Sequence, residues 1–180
     1  IAASRSNINM DKILETIPKI NPVEGRLEKI GKIKNHSKII LDYAHTPAAL
    51  KTCLLNLKEQ FPEKKIILLF GCGGDRDQNK RSKMGNIASN YSDKIYLTDD
   101  NPRLENPIKI RTDIKKGTKG KKIIEISNRA KAISKEIKKI NNDEIWWVAG
   151  KGHEKTQDIG KQKIYVSERK NIIYTITIKK

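Results

Sequence analysis

From Lys38 onward the chain alternates short apolar runs with longer amphipathic segments, and this alternation leaves few folds open. Lys38 to Leu41 reads as a strand. Pro47 to Gln60 follows with Leu50, Leu54 and Leu57 at helical spacing. Lys65 to Phe70 is continuously apolar, as expected of a strand buried on both faces. Gly71 to Arg81 reads as a Gly-rich, charged loop, followed by a helix through Asn90. Lys94 to Thr98 is a further strand, and Asn106 to Lys116 a helix with Pro107 near its first turn. Lys122 to Ile126 and Ile145 to Ala149 are strands flanking a helix from Asn128 to Ile140. The pattern predicts an α/β fold: a mostly parallel sheet with helices on both faces. The ends are less regular. The first twenty residues read as a helix ended by Pro18 and Pro22. Lys163 to Val166 reads as a strand, and Asn171 to Ile178 fits either an edge strand or a degenerate helix.

At 180 residues the sequence holds one ordinary domain and a short appendage. The expected division is 1–21 as the end of a preceding domain or a linker helix, and 22–180 as the domain proper. The opening Ile1-Ala2-Ala3-Ser4-Arg5 has no signal-peptide pattern and reads as a piece of something longer. No apolar run approaches the roughly 18 residues of a membrane span, and the unremarkable thiols suit a cytoplasmic protein. Cys53 and Cys72 are too few for a disulfide framework or a structural zinc site. His36, His45 and His153 are widely scattered, and no metal site is expected. The net charge of +17 would suit a nucleic-acid binder, yet aromatics make up only 5% of the chain. The lysines are spread along helices and turns rather than gathered in one stripe, so nucleic acid is not the expected partner. A positive field still favours polyanionic substrates such as nucleotides.

Two motif matches fail. Gly71-Cys72-Gly73-Gly74-Asp75-Arg76 begins like a dinucleotide fingerprint, but Arg76 stands where the third Gly belongs. Gly150-Lys151-Gly152-His153-Glu154-Lys155-Thr156 ends like a P-loop, but Glu154 replaces the Gly before Lys-Thr. Four runs instead share one topological position, the end of an expected strand. They are Asp42 to Pro47, Gly71 to Arg76, Asp99-Asp100-Asn101-Pro102-Arg103, and Ala149 to Glu154. In a parallel sheet such ends lie on one edge, where α/β folds place ligands. Arg76 and Arg103 can each clamp a carboxylate, and Asp100 and Glu154 can accept from an ammonium group. Such a set suits a zwitterionic amino acid, ideally one with a second charged head. Asp42 and His45 read as a separate pair, suited to a ribose hydroxyl and a phosphate. No nucleophilic Ser/His/Asp or Cys/His set is evident, and Cys72 reads as packing.

These runs, together with Val23-Glu24-Gly25-Arg26-Leu27-Glu28, Lys80-Arg81 and Met84-Gly85, resemble the C-terminal domain of the Mur ligases. The resemblance runs from about Val23 to about Arg169 and is strongest with the diaminopimelate-adding branch. It implies a Rossmann-like domain of an enzyme that makes an amide bond in peptidoglycan synthesis at the expense of ATP, through an acyl phosphate. It implies that Arg76, Asp100, Asn101, Pro102, Arg103, Gly150 and Glu154 hold meso-diaminopimelate. Arg26, Asp42 and His45 would face the nucleotide, with ATP and Mg2+ held mainly by a central domain outside this chain. The other substrate would be a UDP-N-acetylmuramoyl-dipeptide. The Asp-Asn-Pro-Arg turn resembles the family's diaminopimelate motif. Arg103 could pair the distal carboxylate that lysine lacks, a discrimination of about 2–5 kcal/mol for a desolvated pair left half-made.

The sequence departs from the family pattern at Ala48, at Gln78-Asn79 and at Glu168, none within the expected amino-acid site. Three other readings stay open: a lysine-adding ligase, a free-standing module that binds an amino acid without catalysis, and a nucleic-acid binder. The chain alone is expected not to catalyse ligation.

Overall fold

The computed structural model describes residues 9–21, 23–32, 37–120 and 123–178. Six strands build the main sheet: β1 (Glu28–Lys32), β2 (Lys38–Asp42), β3 (Lys65–Phe70), β4 (Lys94–Leu97), β5 (Ile123–Glu125) and β6 (Glu144–Ala149). Their spatial order is β1-β2-β6-β3-β4-β5. The five strands from β2 to β5 in that order are mutually parallel, and β1 closes one edge antiparallel to β2. The carboxyl ends of β2, β6, β3 and β4 are therefore neighbours on a single edge.

Side-chain alternation divides each strand between two cores. Ile40, Ile66, Leu68, Phe70 and Trp147 face one side, covered by α2 (Pro47–Gln60), α3 (Asn79–Tyr91) and α4 (Pro107–Lys115). Ile39, Leu41, Ile67, Leu69 and Trp146 face the other, covered by α5 (Arg129–Ile137) and α6 (Glu168–Thr177). A strand covered on both faces must be apolar at every position, which is why β3 and β6 read as unbroken runs. Helix α2 presents Leu50, Leu54 and Leu57 to the first core. At roughly 1.5–3 kcal/mol per buried leucine, this face outweighs what intrinsic propensity contributes to so short a helix.

Caps fix where the helices begin. Thr46 Oγ1 accepts from the Ala49 amide ahead of α2, and Pro47 stands in the first turn. Asn106, Asn128 and Ser167 cap α4, α5 and α6 in the same manner.

The structure departs from the sequence expectation at several places. Strand β1 was not expected. Its residues Glu28 to Gly31 carry one apolar side chain, Ile30, and the pairing with β2 is interrupted by a bulge between Lys29 and Gly31. The glycine-rich loop ends at Gln78, not Arg81, because the Asp77 carboxylate accepts from the Asn79 amide and starts α3 there. The expected strand near Lys163 is half of a hairpin, β7 (Thr156–Ile159) and β8 (Gln162–Tyr165). The ambiguous terminal segment is helical: α6 starts on the Ser167 cap and buries Ile172 and Thr175. At the other end, helix α1 (Met10–Thr16) and a 3₁₀ turn (Ile17–Lys19) expose Met10, Leu14 and Ile17. Residues 1–8, Pro22, His36 and Lys122, on which expectations also fell, lie outside the described residues.

Candidate functional site

All four strand-end runs meet in one cleft of about 650 Å³. The turn after β4 forms its centre. Asp100 and Asn101 are buried in the floor, and Arg103 rises to the wall. Arg103 has φ of +52°, a left-handed conformation that costs an ordinary residue about 1–2 kcal/mol. The hairpin holds it there: the Arg103 amide donates to Asp158 O at 3.0 Å, and Gly160 donates to Arg103 O at 2.7 Å. The β7–β8 hairpin thus restrains the turn on both sides of Arg103.

The glycine-rich loop lies against the same turn. Gly74 donates to Asn101 O at 2.9 Å and accepts from Arg103 Nη1 at 2.7 Å. A Cβ on Gly74 would sit 2.0 Å from Pro102 O, so this approach admits no side chain. Leu104 donates to Asp75 Oδ2, and Asp75 donates to Glu105 Oε1. These bonds stitch the two loops together. Arg76 stands exposed at the cleft and has no hydrogen-bond or ion-pair partner among the described residues. On Arg103 only Nη1 is engaged, leaving the rest of its fork available to a ligand.

Opposite the guanidinium groups stand two carboxylates, each half-engaged. Asp100 Oδ1 accepts from the Asn101 amide at 2.6 Å, while Oδ2 lies over Gly150, where a Cβ would come within 3.0 Å of it. Gly150 takes φ of +116°, so no L side chain fits comfortably at that point. Glu154 Oε2 accepts from Asn101 Nδ2 at 3.1 Å and from Lys151 Nζ at 2.8 Å. Asp100 Oδ2 and Glu154 Oε1 have no hydrogen-bond donors among the described residues. Asn101 is less free than its expected role implies, since its Oδ1 already accepts from Lys151 Nζ and from the Asp158 amide.

The residues expected to face a nucleotide divide. His45 lines the cleft; its Nδ1 donates to Tyr43 O at 2.8 Å, which leaves Nε2 for a ligand. Lys80 crosses the mouth of the cleft to donate to His45 O at 3.0 Å. Asp42 is only 4% exposed and lines a separate cavity of about 270 Å³ with Arg26. It accepts from the Tyr43 and Leu27 amides and from the Cys53 thiol, so it is not paired with His45 as expected. Arg26 lies 4.5 Å above the Tyr43 ring, which also meets the rings of His45 and His153.

Three buried cations beneath the cleft were not anticipated as site residues. Arg81, fully buried, pairs with both oxygens of Glu105 at 2.9 Å, with Asp113 at 3.3 Å and with Gly73 O. Arg129 binds Glu168, Thr98 Oγ1 and Ala149 O, joining α5, α6, β4 and β6 under the floor. Burial pushes the Glu168 carboxyl upward, against the opposing pull of Arg129. Lys151 is the third. Cys72, by contrast, packs against Met84, and burial drives its thiol up to about 12. Among the described residues no group of three His, Cys, Asp or Glu side chains is placed to hold a metal ion.

The model of the Mur ligase glutamate ligase domain matches residues 25–152, which span β1 to the loop after β6. The chain belongs to the Mur ligase family. Among Mur ligases, the UDP-N-acetylmuramoyl-L-alanyl-D-glutamate–2,6-diaminopimelate ligase of Rickettsia typhi is 42% identical over 160 residues, covering 88% of this chain and 32% of the relative. The enzyme of the same name from Buchnera aphidicola subsp. Baizongia pistaciae is 45% identical, covering 92% and 33%. A solved structure of a diaminopimelate ligase superposes with a TM-score of 0.80 at 32% identity, over 99% of this chain and 36% of that one. A bifunctional folylpolyglutamate synthase/dihydrofolate synthase from Yersinia pestis shares the fold, with a TM-score of 0.59 at 19% identity. It covers 81% of this chain and 33% of its own. The chain thus spans about a third of the length of the Mur ligases it matches.

Proposed function

We propose that this chain is the amino-acid-receiving domain of a ligase that joins meso-diaminopimelate to UDP-N-acetylmuramoyl-L-alanyl-D-glutamate. The observation that carries the reading is the cleft's division of charge. Arg76 and Arg103 present open guanidinium groups, while Asp100 and Glu154 each keep one carboxylate oxygen without a donor. Diaminopimelate carries two carboxylates and two ammonium groups, and this set can answer both. Arg103, held by backbone bonds on either side, would take the distal carboxylate in its fork. Lysine would leave that guanidinium unanswered. The shared names of the relatives point to the same substrate.

In this reading the precursor's D-glutamyl carboxylate is activated as an acyl phosphate at the expense of ATP. The amine then attacks the acyl carbon, phosphate leaves and the amide bond forms. What this domain supplies is placement: carboxylate clamps fix the amino acid so that its amine points out of the cleft toward the activated carbonyl. The nucleotide would lie across the Tyr43 ring, between His45 Nε2 in the cleft and the Arg26 guanidinium of the neighbouring cavity, which offer a donor and a charge. Asp42 Oδ1 already accepts from two amides, but Oδ2 accepts only from the Cys53 thiol and keeps a lone pair for a ribose hydroxyl. Mg2+ is assigned to a domain outside this chain, as is most of the grip on ATP. Residues 1–21 are assigned to the end of that domain or to a linker, and 22–180 to the amino-acid domain.

The test is an NMR titration of the chain with meso-diaminopimelate, repeated with lysine. Resonances of Arg76, Arg103 and Glu154 are expected to shift with diaminopimelate and much less with lysine. An equal response to both compounds would remove Arg103 from its assigned role and the substrate with it.

A further inference from the structure

Lys151 has no task in the amino-acid reading. Its side chain is completely buried and does not line the cleft. Its Nζ donates to Asn101 Oδ1 at 2.9 Å and to Glu154 Oε2 at 2.8 Å. Those acceptors come from different strand ends, and Asn101 Nδ2 joins them again by donating to Glu154 Oε2 at 3.1 Å. The three side chains form a closed triangle behind the cleft wall. Burying an ammonium group is costly, and a hydrophobic residue of similar volume often serves packing as well or better. The position therefore points to something other than filling space.

The consequence falls on Glu154. With Oε2 taken by two donors, the carboxylate has one orientation, and Oε1 is the oxygen left without a donor. Without Lys151 both oxygens would compete for the single Asn101 bond, and the side chain could turn. Asn101 would lose a partner on Oδ1 as well, keeping only the Asp158 amide at 3.1 Å.

We propose that Lys151 is a positioning residue that locks Asn101 and Glu154 so that Glu154 offers a fixed oxygen to an ammonium group of the ligand. It touches no substrate; it acts through Glu154. The proposal rests on the diaminopimelate reading for the identity of the ligand, though not for the triangle itself.

Two measurements test it. The first needs no ligand: side-chain 15N relaxation of Asn101 Nδ2 in the wild-type chain and in Lys151→Met, with amide exchange in β3 and β6 as a control on the fold. The Asn101 amide is expected to become mobile in the variant while the strands stay protected. An Asn101 amide that stays rigid would overturn the proposal. Should Lys151→Met not fold, Lys151→Ala removes the donor and leaves room for water, and is read in the same way.

The second is a calorimetric titration with meso-diaminopimelate and with pimelate, the same dicarboxylate without its amines. Lys151→Met is expected to weaken diaminopimelate about tenfold, on the scale of one charge-assisted contact, and to leave pimelate unchanged. Equal weakening of both would make Lys151 a purely structural residue. Tighter diaminopimelate binding would mean that it competes with the ligand for Glu154; either result overturns the proposal. If the wild-type chain binds neither compound, the diaminopimelate reading falls, and the relaxation experiment decides the role of Lys151 alone.

Discussion

At the scale of single residues, the site owes its character to how much of each polar group is already engaged. Asp100 and Glu154 each commit one oxygen to the protein, and Arg103 commits one nitrogen. The same accounting removes the two thiols from any chemistry. Burial raises Cys72 to about 12. Burial also raises Cys53 to about 12, with the negative charge of Asp42 adding to the effect. The thiolate is the reactive form, and an ordinary thiol near 8.5 is about one quarter ionised at pH 8. With a pKa near 12, about one thiol in ten thousand is ionised at that pH. Both cysteines are therefore expected to resist iodoacetamide at pH 8 in the native chain and to react readily in denaturant, as mass spectrometry would read. Asp42→Asn keeps the burial of Cys53 but removes the charge, so Cys53 should then react faster and Cys72 should not. Rapid native labelling of Cys72 would mean that the loop after β3 opens far more than its packing on Met84 implies. The sequence reading favoured packing for Cys72 although it lies in a Gly-rich loop, and the structure packs it on Met84. Nothing in the sequence signalled that Asp42 would spend its oxygens on Leu27, Tyr43 and Cys53, because those partners come together only in the fold.

At the scale of elements, what was legible followed from burial on two faces. Strands β2, β3, β4 and β6 announce themselves because both sides are covered, and α2 because three leucines share one face. Elements stabilised by one face or by hydrogen bonds alone were hidden. Strand β1 is an edge, with a glycine and lysines in place of apolar residues, and β7 is a polar strand of a small hairpin; its exposed partner β8 was legible as the run from Lys163 to Val166. Helix α6 was obscured by an alternation that mimics a strand, and its cap and the packing of Ile172 decided otherwise. The buried cations were missed for a related reason: Arg and Lys are expected outside unless paired, and the pairing is long-range. Arg81 and Glu105 are 24 residues apart, yet their pair fixes the glycine-rich loop against the Asp-Asn-Pro-Arg turn. Removing one member of such a pair leaves the other uncompensated, at about 3–5 kcal/mol. Arg81→Met is accordingly expected to lose stability of about that size in equilibrium urea unfolding. The lower end is favoured, since Lys116 still serves Asp113 and the Asp75 amide still serves Glu105. A loss below about 1 kcal/mol, the scale of an exposed pair, would mean that the two loops are held by their backbone bonds and not by Arg81.

At the scale of the whole molecule, the cleft sits on the carboxyl edge of the sheet, with the Lys80 side chain crossing its mouth. The convergence of four loops there was readable in advance, because a parallel sheet leaves its strand ends no other edge. What the sequence could not give was the strand order, in which β6 inserts between β2 and β3 and so brings Glu154 beside Asn101. The division of labour follows from the same layout. In the proposed function, holding an amino acid needs only clamps and close backbone approach, which Arg76, Arg103 and the cleft's glycines would supply. Activating a carboxylate with ATP requires charge neutralisation around the transferring phosphoryl group, usually by a metal and a phosphate-cradling loop. The glycine-rich runs here lack the Walker pattern, and the relatives are about three times as long as this chain. We therefore expect the 180-residue chain, given ATP, the UDP-linked dipeptide and meso-diaminopimelate, to release no phosphate above background while still binding the amino acid. Adding the other two thirds of a relative, as a separate polypeptide or in fusion, should restore release in a diaminopimelate-dependent manner. Turnover by the chain alone would place the phosphoryl-transfer machinery within these residues. The triphosphate would then have to be gripped by this chain's own cations, with His45, Lys80 and Arg76 holding it beside the amino acid in a cleft of about 650 Å³.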